Sequence, residues 1–399
     1  MVRIGLDARS MVMPRPRGTG RNLVDVYRLL PALRPEWQFI LYHQRPLEQA
    51  AQPENPPWHH SNVRLRQIDL PGDRFDAWLH VRMPVAAGQD RITLCHFPAN
   101  DAPLWCPTPF VVTIHDLAPL EVTGELSPEE TAAFRRGVRR AVRRAQHIVV
   151  PSAATRAALE REFGVSPDRT TIVPWAPDSG ITAAVQAGIP ERDRRRVRER
   201  YRLAEPWLLS FSGSSPRKNA TGLLHAWARV PPDARAGRQL VLTGCEPESY
   251  RQQLAALAAE LRVGDECRLL GFVPYEDLPA LLSDAVGLLI PSRCEGFGLP
   301  VLDAMACGVP VLASRVGSLP EIAGDAALYC DPHAPESIAA GIQQLLNRDV
   351  AARLVQTGYE QVRRFNWAHT AEALLGVYEQ CVDALQAGRR RCATEGVLP

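Results

Sequence analysis

The chain has 399 residues, of which 46% are hydrophobic and 23% charged, with a formal net charge of +2. That length exceeds one ordinary core and points to two domains of roughly 150–200 residues each. With this composition disorder is not the default reading, and the near-neutral balance gives no bulk electrostatic argument for nucleic acid as a partner.

The nine cysteines are scattered from Cys95 to Cys392 without a CxxC pair or a Cys/His cluster. They exclude a zinc site of ordinary spacing and read as buried thiols in a reducing compartment. Met1–Ser10 carries Arg3, Asp7 and Arg9 and has no long apolar core, so it does not read as a secretory signal. No stretch nears the roughly 20 apolar residues that span a bilayer. The expected location is cytoplasmic, with any membrane contact peripheral at the inner face.

Short apolar runs alternate with helix-like segments along the chain, the pattern of a parallel α/β sheet. The first series is Val2–Ala8, Phe39–His43, Ile92–Phe97, Phe110–His115 and Ile148–Pro151. A second follows at Trp207–Ser212, Gln239–Gly244, Arg268–Phe272, Val286–Pro291 and Val309–Ser314. Many are continuous rather than alternating, as strands buried on both faces should be. Between the series, Pro174, Pro177, Gly180, Gly188 and Pro190 read as a linker, and the charged run Glu191–Arg200 as a solvated helix. The domains are therefore placed at 1–180 and 190–365. In the tail, Ala371, Leu374, Leu375, Tyr378, Val382 and Leu385 have helical spacing.

A helix at Phe134–Gln146 carries Arg135, Arg136, Arg139, Arg140, Arg143 and Arg144. It reads first as a solvated face, and second as a docking face for an anionic membrane or a lipid-linked phosphate.

Five segments carry candidate chemistry. Gly18-Thr19-Gly20-Arg21-Asn22 precedes a helix at Leu23–Leu30; its glycines let a ligand approach, and the helix start favours an anion. It fits a dinucleotide fingerprint badly, because Gly18 comes late after the strand and the third glycine is missing. His115-Asp116 stands at a strand's carboxyl end, where open α/β sheets bind ligands; His115 can bond a sugar hydroxyl, with Asp116 fixing its tautomer. His96 also ends a strand, with a less defined role. In Ser214–Asn219, Arg217 and Lys218 at a strand-to-helix turn suit a diphosphate. Pro291–Pro300 is a glycine-rich turn in which amides of Phe297, Gly298 and Leu299 are open to a ligand, with Glu295 before the helix and Asp303 inside it. Ser318 and Glu321 have capping-box spacing; capping and a ligand role for Glu321 are both open. No Asp-x-Asp occurs, so the two cations are expected to do the work that a metal-bound carboxylate pair does elsewhere.

These motifs resemble the retaining glycosyltransferases of family 4. The matching phrases are GTGRN at Gly18–Asn22, VVTIHDLAPL at Val111–Leu120, PRKN at Pro216–Asn219, GFVPYEDLPALL at Gly271–Leu282, EGFGLPVLDAMACGVPVLAS at Glu295–Ser314, and FNWAHTAEALLGVY at Phe365–Tyr378. The resemblance implies a GT-B fold: two Rossmann-like α/β domains facing each other across a cleft, with a C-terminal helix at about 366–386 returning to the first.

It also implies roles. Gly18 and Gly20 would border the donor phosphates, and His115 would contact the transferred sugar. Arg217 and Lys218 would bind the diphosphate. Glu295 would hold sugar hydroxyls, with the amides of Phe297, Gly298 and Leu299. Asp303 replaces the second of two glutamates, the one that binds the nucleotide ribose in the family. PRKN is similar to bacterial mannosyltransferases of surface-polysaccharide assembly, which implies GDP-mannose as the first choice of donor. The expected acceptor is a saccharide or, given the basic helix, a lipid-linked saccharide, and the missing Asp-x-Asp leaves no metal or other cofactor expected. The resemblance implies retention of configuration; because the motifs offer no obvious carboxylate for a covalent intermediate, front-face transfer is the expected route. A donor-only epimerase or hydrolase of the same fold and a non-catalytic nucleotide-sugar-binding subunit are the alternatives.

Overall fold

The computed structural model describes residues 1–14, 18–47, 56–69, 76–204 and 206–395, with side chains to residue 388. The chain forms two compact units: Met1–Leu117, Pro128–Trp175 and Asn366–Pro399 make the first, and Ala118–Ser127 with Ala176–Phe365 the second. The change of unit thus falls after Trp175 rather than near residue 180, and a ten-residue stretch within the sequence of the first unit belongs to the second.

The first unit holds a seven-stranded parallel sheet of β1 (Arg3–Asp7), β2 (Gln38–His43), β3 (Val63–Gln67), β4 (Leu94–Phe97), β5 (Phe110–Thr113), β6 (His147–Val150) and β7 (Thr170–Ile172). Their order is β3-β2-β1-β4-β5-β6-β7. The sequence grows outward from β1 in one direction, then restarts at β4 in the other. Ligands of such sheets bind beyond the carboxyl ends at this reversal. The helix Gly18–Leu33 and the C-terminal helix Trp367–Glu395 share one core, in which Leu23, Tyr27 and Leu30 meet Ala371, Leu374, Tyr378 and Val382. Three- and four-residue spacing puts the latter set on one face of its helix. The hydroxyls of Tyr27 and Tyr378 join at 2.7 Å.

The second unit holds a six-stranded parallel sheet of β8 (Trp207–Phe211), β9 (Gln239–Thr243), β10 (Cys267–Leu269), β11 (Gly287–Ile290), β12 (Val311–Ser314) and β13 (Ala327–Cys330), ordered β10-β9-β8-β11-β12-β13. The reversal lies between β8 and β11, where Leu208 pairs with Gly287 and Leu209 with Leu288. Leu209, Leu288 and Val311 belong to one core cluster, whereas Leu208, Leu289 and Leu312 belong to another. Helices cover both faces of the sheet, which is why its strands read as unbroken apolar runs.

The charged run is a largely exposed helix, as read, with Val197 its one buried residue, and its arginines also pair with buried acids. On the helix Glu191–Tyr201, Arg196 and Arg200 reach Asp277 at 2.9 and 3.1 Å, and Arg194 and Arg198 pair with Asp284. Asp277 is fully buried and also accepts from the Tyr201 hydroxyl at 2.6 Å. Pairing offsets the cost of burying a carboxylate, so these arginines tie the helix to the segment around Leu278–Ser283.

The basic helix spans Pro128–Arg144 and buries Gly137, Val138, Ala141 and Val142. Arg135 pairs with Glu162, Arg140 with Asp101, and Arg144 donates to the Leu104 carbonyl. Arg136, Arg139 and Arg143 are exposed. No described helix is long and apolar enough to cross a membrane.

Candidate functional site

In the second unit, the loops after β8 and β11 flank the sheet reversal. The first makes a single 3₁₀ turn, Pro216–Lys218, then enters the helix Ala220–Arg229 through Asn219. Asn219 adopts a left-handed backbone with φ of 59° and is 2% exposed. Its amide nitrogen donates to the carbonyls of Pro291 at 3.0 Å and Pro332 at 2.7 Å. Asparagine is one of the few residues that both tolerates that conformation and donates two bonds. It locks the turn bearing Arg217 and Lys218 to the segments that follow β11 and β13.

Glu295 stands on the second loop, 7% exposed. One carboxylate oxygen accepts from the Lys218 ammonium at 2.6 Å and the Ser292 hydroxyl at 2.7 Å; the other accepts from the Arg217 guanidinium at 2.9 Å. Burial pushes the Glu295 carboxyl up, but Lys218, Arg217 and the hydrogen bonds overcome it and hold the group at about 2. A carboxylate so held is a poor proton acceptor and a poor nucleophile. Its backbone carbonyl is gripped as well, by the Ser318 amide at 3.2 Å and hydroxyl at 3.0 Å. Gly317 makes this approach possible, since a Cβ there would lie 2.5 Å from the Glu295 oxygen.

The capping box is therefore not formed. Ser318 spends its hydroxyl on Glu295 instead of capping the helix Leu319–Ala323, and Glu321 is exposed on that helix. Gly298, with φ of 101°, starts the helix Leu299–Ala306. Among the described residues, the amides of Phe297, Gly298 and Leu299 donate to no protein acceptor, as expected where a helix begins. The Phe297 ring is buried edge-on against Phe365. Asp303 has a structural duty that the sequence did not reveal: one of its oxygens accepts from the Asp178 amide at 2.8 Å, just ahead of the helix Ser179–Ala187.

Sequence reasoning also missed Glu125. Its carboxylate accepts from the Ser215 hydroxyl at 2.5 and 2.7 Å and from the Arg217 amide at 3.2 Å, and lies 3.5 Å from the Arg217 guanidinium. Nearby, the Cys294 thiol donates to Glu121 at 3.0 Å. No spacing rule flags these acids, because their partners lie about 90 residues or more away. Arg217 and Lys218 are thus not bare cations; two carboxylates face them.

In the first unit, His115 follows β5. Its Nε2–H donates to the Pro98 carbonyl at 2.6 Å, its amide donates to the Asn100 side chain at 2.6 Å, and its ring stacks on Trp175. The Pro98 carbonyl, not Asp116, therefore fixes the tautomer and makes Nδ1 the acceptor; Asp116 acts on the ring through its charge. Burial lowers the His115 pKa, against opposing contributions from Pro98 and Asp116.

His96 is no ligand group. It is 1% exposed, with Nδ1 bonded to the Tyr378 hydroxyl at 2.6 Å and Nε2 to Thr113 at 2.8 Å. Burial, then the neighbouring His115, holds it near 3, so it is a neutral core histidine. Gly18 and Gly20 lie in the first turn of the helix Gly18–Leu33 and not in a loop before it, and Gly20 is buried. Among the described residues, no group of three His, Cys, Asp or Glu side chains is placed to hold a metal ion.

Residues 192–361 match the family described as Glycosyl transferases group 1, and residues 13–178 the family described as Glycosyltransferase Family 4. An O-antigen chain mannosyltransferase B from Escherichia coli is 32% identical over 273 residues, covering 67% of this chain and 70% of that protein. A D-inositol 3-phosphate glycosyltransferase from Acidothermus cellulolyticus is 32% identical over 299 residues, covering 72% of this chain and 64% of that protein. The fold matches that of sucrose-phosphate synthase from Thermosynechococcus elongatus with a TM-score of 0.73 at 22% identity, over 96% of this chain and all of that one.

Proposed function

Because the chain belongs to the family-4 glycosyltransferases, we propose that it moves a hexose from a nucleotide-sugar to a saccharide or lipid-linked saccharide with retention of configuration. Mannose from GDP-mannose is the first choice of donor, which the similarity to an O-antigen mannosyltransferase supports. The observation that carries the reading is the buried Glu295 gripped by both Arg217 and Lys218 beside the reversal of the second sheet.

In this reading, Arg217 and Lys218 take the diphosphate, with the amides of Phe297, Gly298 and Leu299 as further donors. Glu295, kept ionised by its cations, receives sugar hydroxyls. Asp303 reaches the ribose with the carboxylate that also anchors Asp178, and His115 offers Nδ1 to a hydroxyl. A covalent intermediate would need a free carboxylate, and Glu295 has both oxygens engaged. Transfer is therefore front-face: the acceptor oxygen bonds the anomeric carbon on the side from which the diphosphate departs, and the acceptor proton passes to a phosphate oxygen of the leaving group. The cations stabilise the charge that develops on that group, which makes a metal dispensable. Arg136, Arg139 and Arg143 supply a contact for anionic lipid at the cytoplasmic face.

Calorimetric binding of GDP-, UDP-, dTDP- and ADP-sugars in EDTA, for wild type and Glu295→Ala, tests the reading. Binding of one donor that weakens in the variant is expected; binding of none overturns it. Anomeric analysis of the product by NMR tests retention.

A further inference from the structure

We propose that Glu125 is a built-in substitute for a donor phosphate: its carboxylate holds the Ser215–Arg217 turn while the donor is away and is displaced when the diphosphate binds. The inference rests on the assignment of Arg217 and Lys218 to the diphosphate.

The first argument is charge. Arg217 and Lys218 face Glu295 and Glu125, so the formal charges of these four side chains already balance. Adding a diphosphate to a charge-balanced, largely buried cluster would leave excess negative charge away from water, which is strongly unfavourable. One carboxylate must withdraw.

The second argument identifies which. Glu295 sits at 2.6 and 2.9 Å from its two cations and takes a third bond from Ser292, with its carbonyl fixed by Ser318. Glu125 stands farther from the guanidinium, at 3.5 Å, and its other donors are the Ser215 hydroxyl and the Arg217 amide. A hydroxyl, an amide and a guanidinium are also the groups that bind phosphate oxygens.

The third argument is the chain that carries it. Ala118–Ser127 includes only the four-residue helix Ala118–Glu121, and Gly124 beside Glu125 has φ of 81° with open space around it. Few of these residues are buried, so the segment withdraws at low cost. The Cys294 thiol contact to Glu121 is a further attachment of the segment.

Glu125 thus sets donor affinity and hastens departure of the nucleoside diphosphate after transfer. The apparent dissociation constant of a ligand is its intrinsic value divided by the open fraction, so a carboxylate in place nine-tenths of the time weakens binding about tenfold. The test is calorimetric titration of the full chain with inorganic pyrophosphate and with GDP, for wild type, Glu125→Gln, Arg217→Ala and the double variant. The expected result is about tenfold tighter pyrophosphate binding by Glu125→Gln, lost in the double variant. Unchanged or weaker binding by Glu125→Gln, with Arg217→Ala still impaired, overturns the proposal alone and makes Glu125 a support for Arg217. Binding that is indifferent to Arg217→Ala, or absent throughout, overturns the diphosphate assignment and the proposal with it.

Discussion

Glu295→Gln removes a charge while keeping the shape of the side chain and an oxygen for the Ser292 hydroxyl. In the folded chain the carboxyl is lowered from its ordinary 4.5 to about 2, which at neutral pH corresponds to about 3 kcal/mol of folded-state stability. A lowered folded value means that this stability is fully present above about pH 4.5 and is lost as the pH falls toward 2. The variant should therefore be less stable than wild type by about 3 kcal/mol at neutral pH, with a deficit that is flat above about pH 5 and shrinks below it. Hydrogen exchange of the amides of Trp207–Phe211 and Gly287–Ile290, followed through a urea series, reads the second unit separately from the first. Equal protection in the two proteins at neutral pH, or a deficit that grows on acidification, would refute the reasoning.

Lys218→Ala should lower kcat/KM by roughly 2–4 kcal/mol of transition-state stabilisation, as for a lost oxyanion donor; wild-type turnover would sink its assignment. His115 has a lowered pKa, so it is neutral above its ordinary 6.5 and its protonation opposes folding only below that. The pH profile of kcat/KM should then be flat from about pH 8 to about 6.5, and an inflection within or above this range that vanishes in His115→Gln would contradict the neutral acceptor. Tyr378→Phe strands the Nδ1 of buried His96 and the hydroxyl of Tyr27, so the first unit should lose about 1–3 kcal/mol per stranded group. Urea unfolding of the variant at wild-type midpoint would show that the network carries no stability.

The strands read correctly were those whose two buried faces left a continuous apolar run, such as Trp207–Phe211 and Gly287–Ile290. Three were missed, for physical reasons. In β3, Arg64 and Arg66 interrupt the apolar pattern of a sheet-edge strand, β7 is only three residues long, and β13 is a four-residue strand at the other sheet's edge, half-buried at its centre. Arg217, Lys218 and Glu295 were legible because each stands in a dense local motif. Glu125, Asn219 and the anchoring of Asp178 by Asp303 were not, because each depends on a partner that only the fold brings near. His96 misled because a strand-ending histidine looks alike in sequence whether it faces a ligand or, as here, Tyr378 and Thr113. The pairing of the Glu191–Tyr201 arginines was hidden likewise: a charge run does not announce that Asp277 and Asp284 lie beneath it.

The sharing of one core by the helices Gly18–Leu33 and Trp367–Glu395 bears on the order in which the protein is made. As the polypeptide leaves the ribosome, the first 175 residues emerge with Leu23, Tyr27 and Leu30 lacking the side chains that will cover them. The second unit, whose last residue is Phe365, has all its sequence before those side chains exist. The first unit is therefore completed only after the whole of the second has been made, and it waits for Ala371, Leu374, Tyr378 and Val382 with an apolar surface that nascent-chain chaperones are suited to shield.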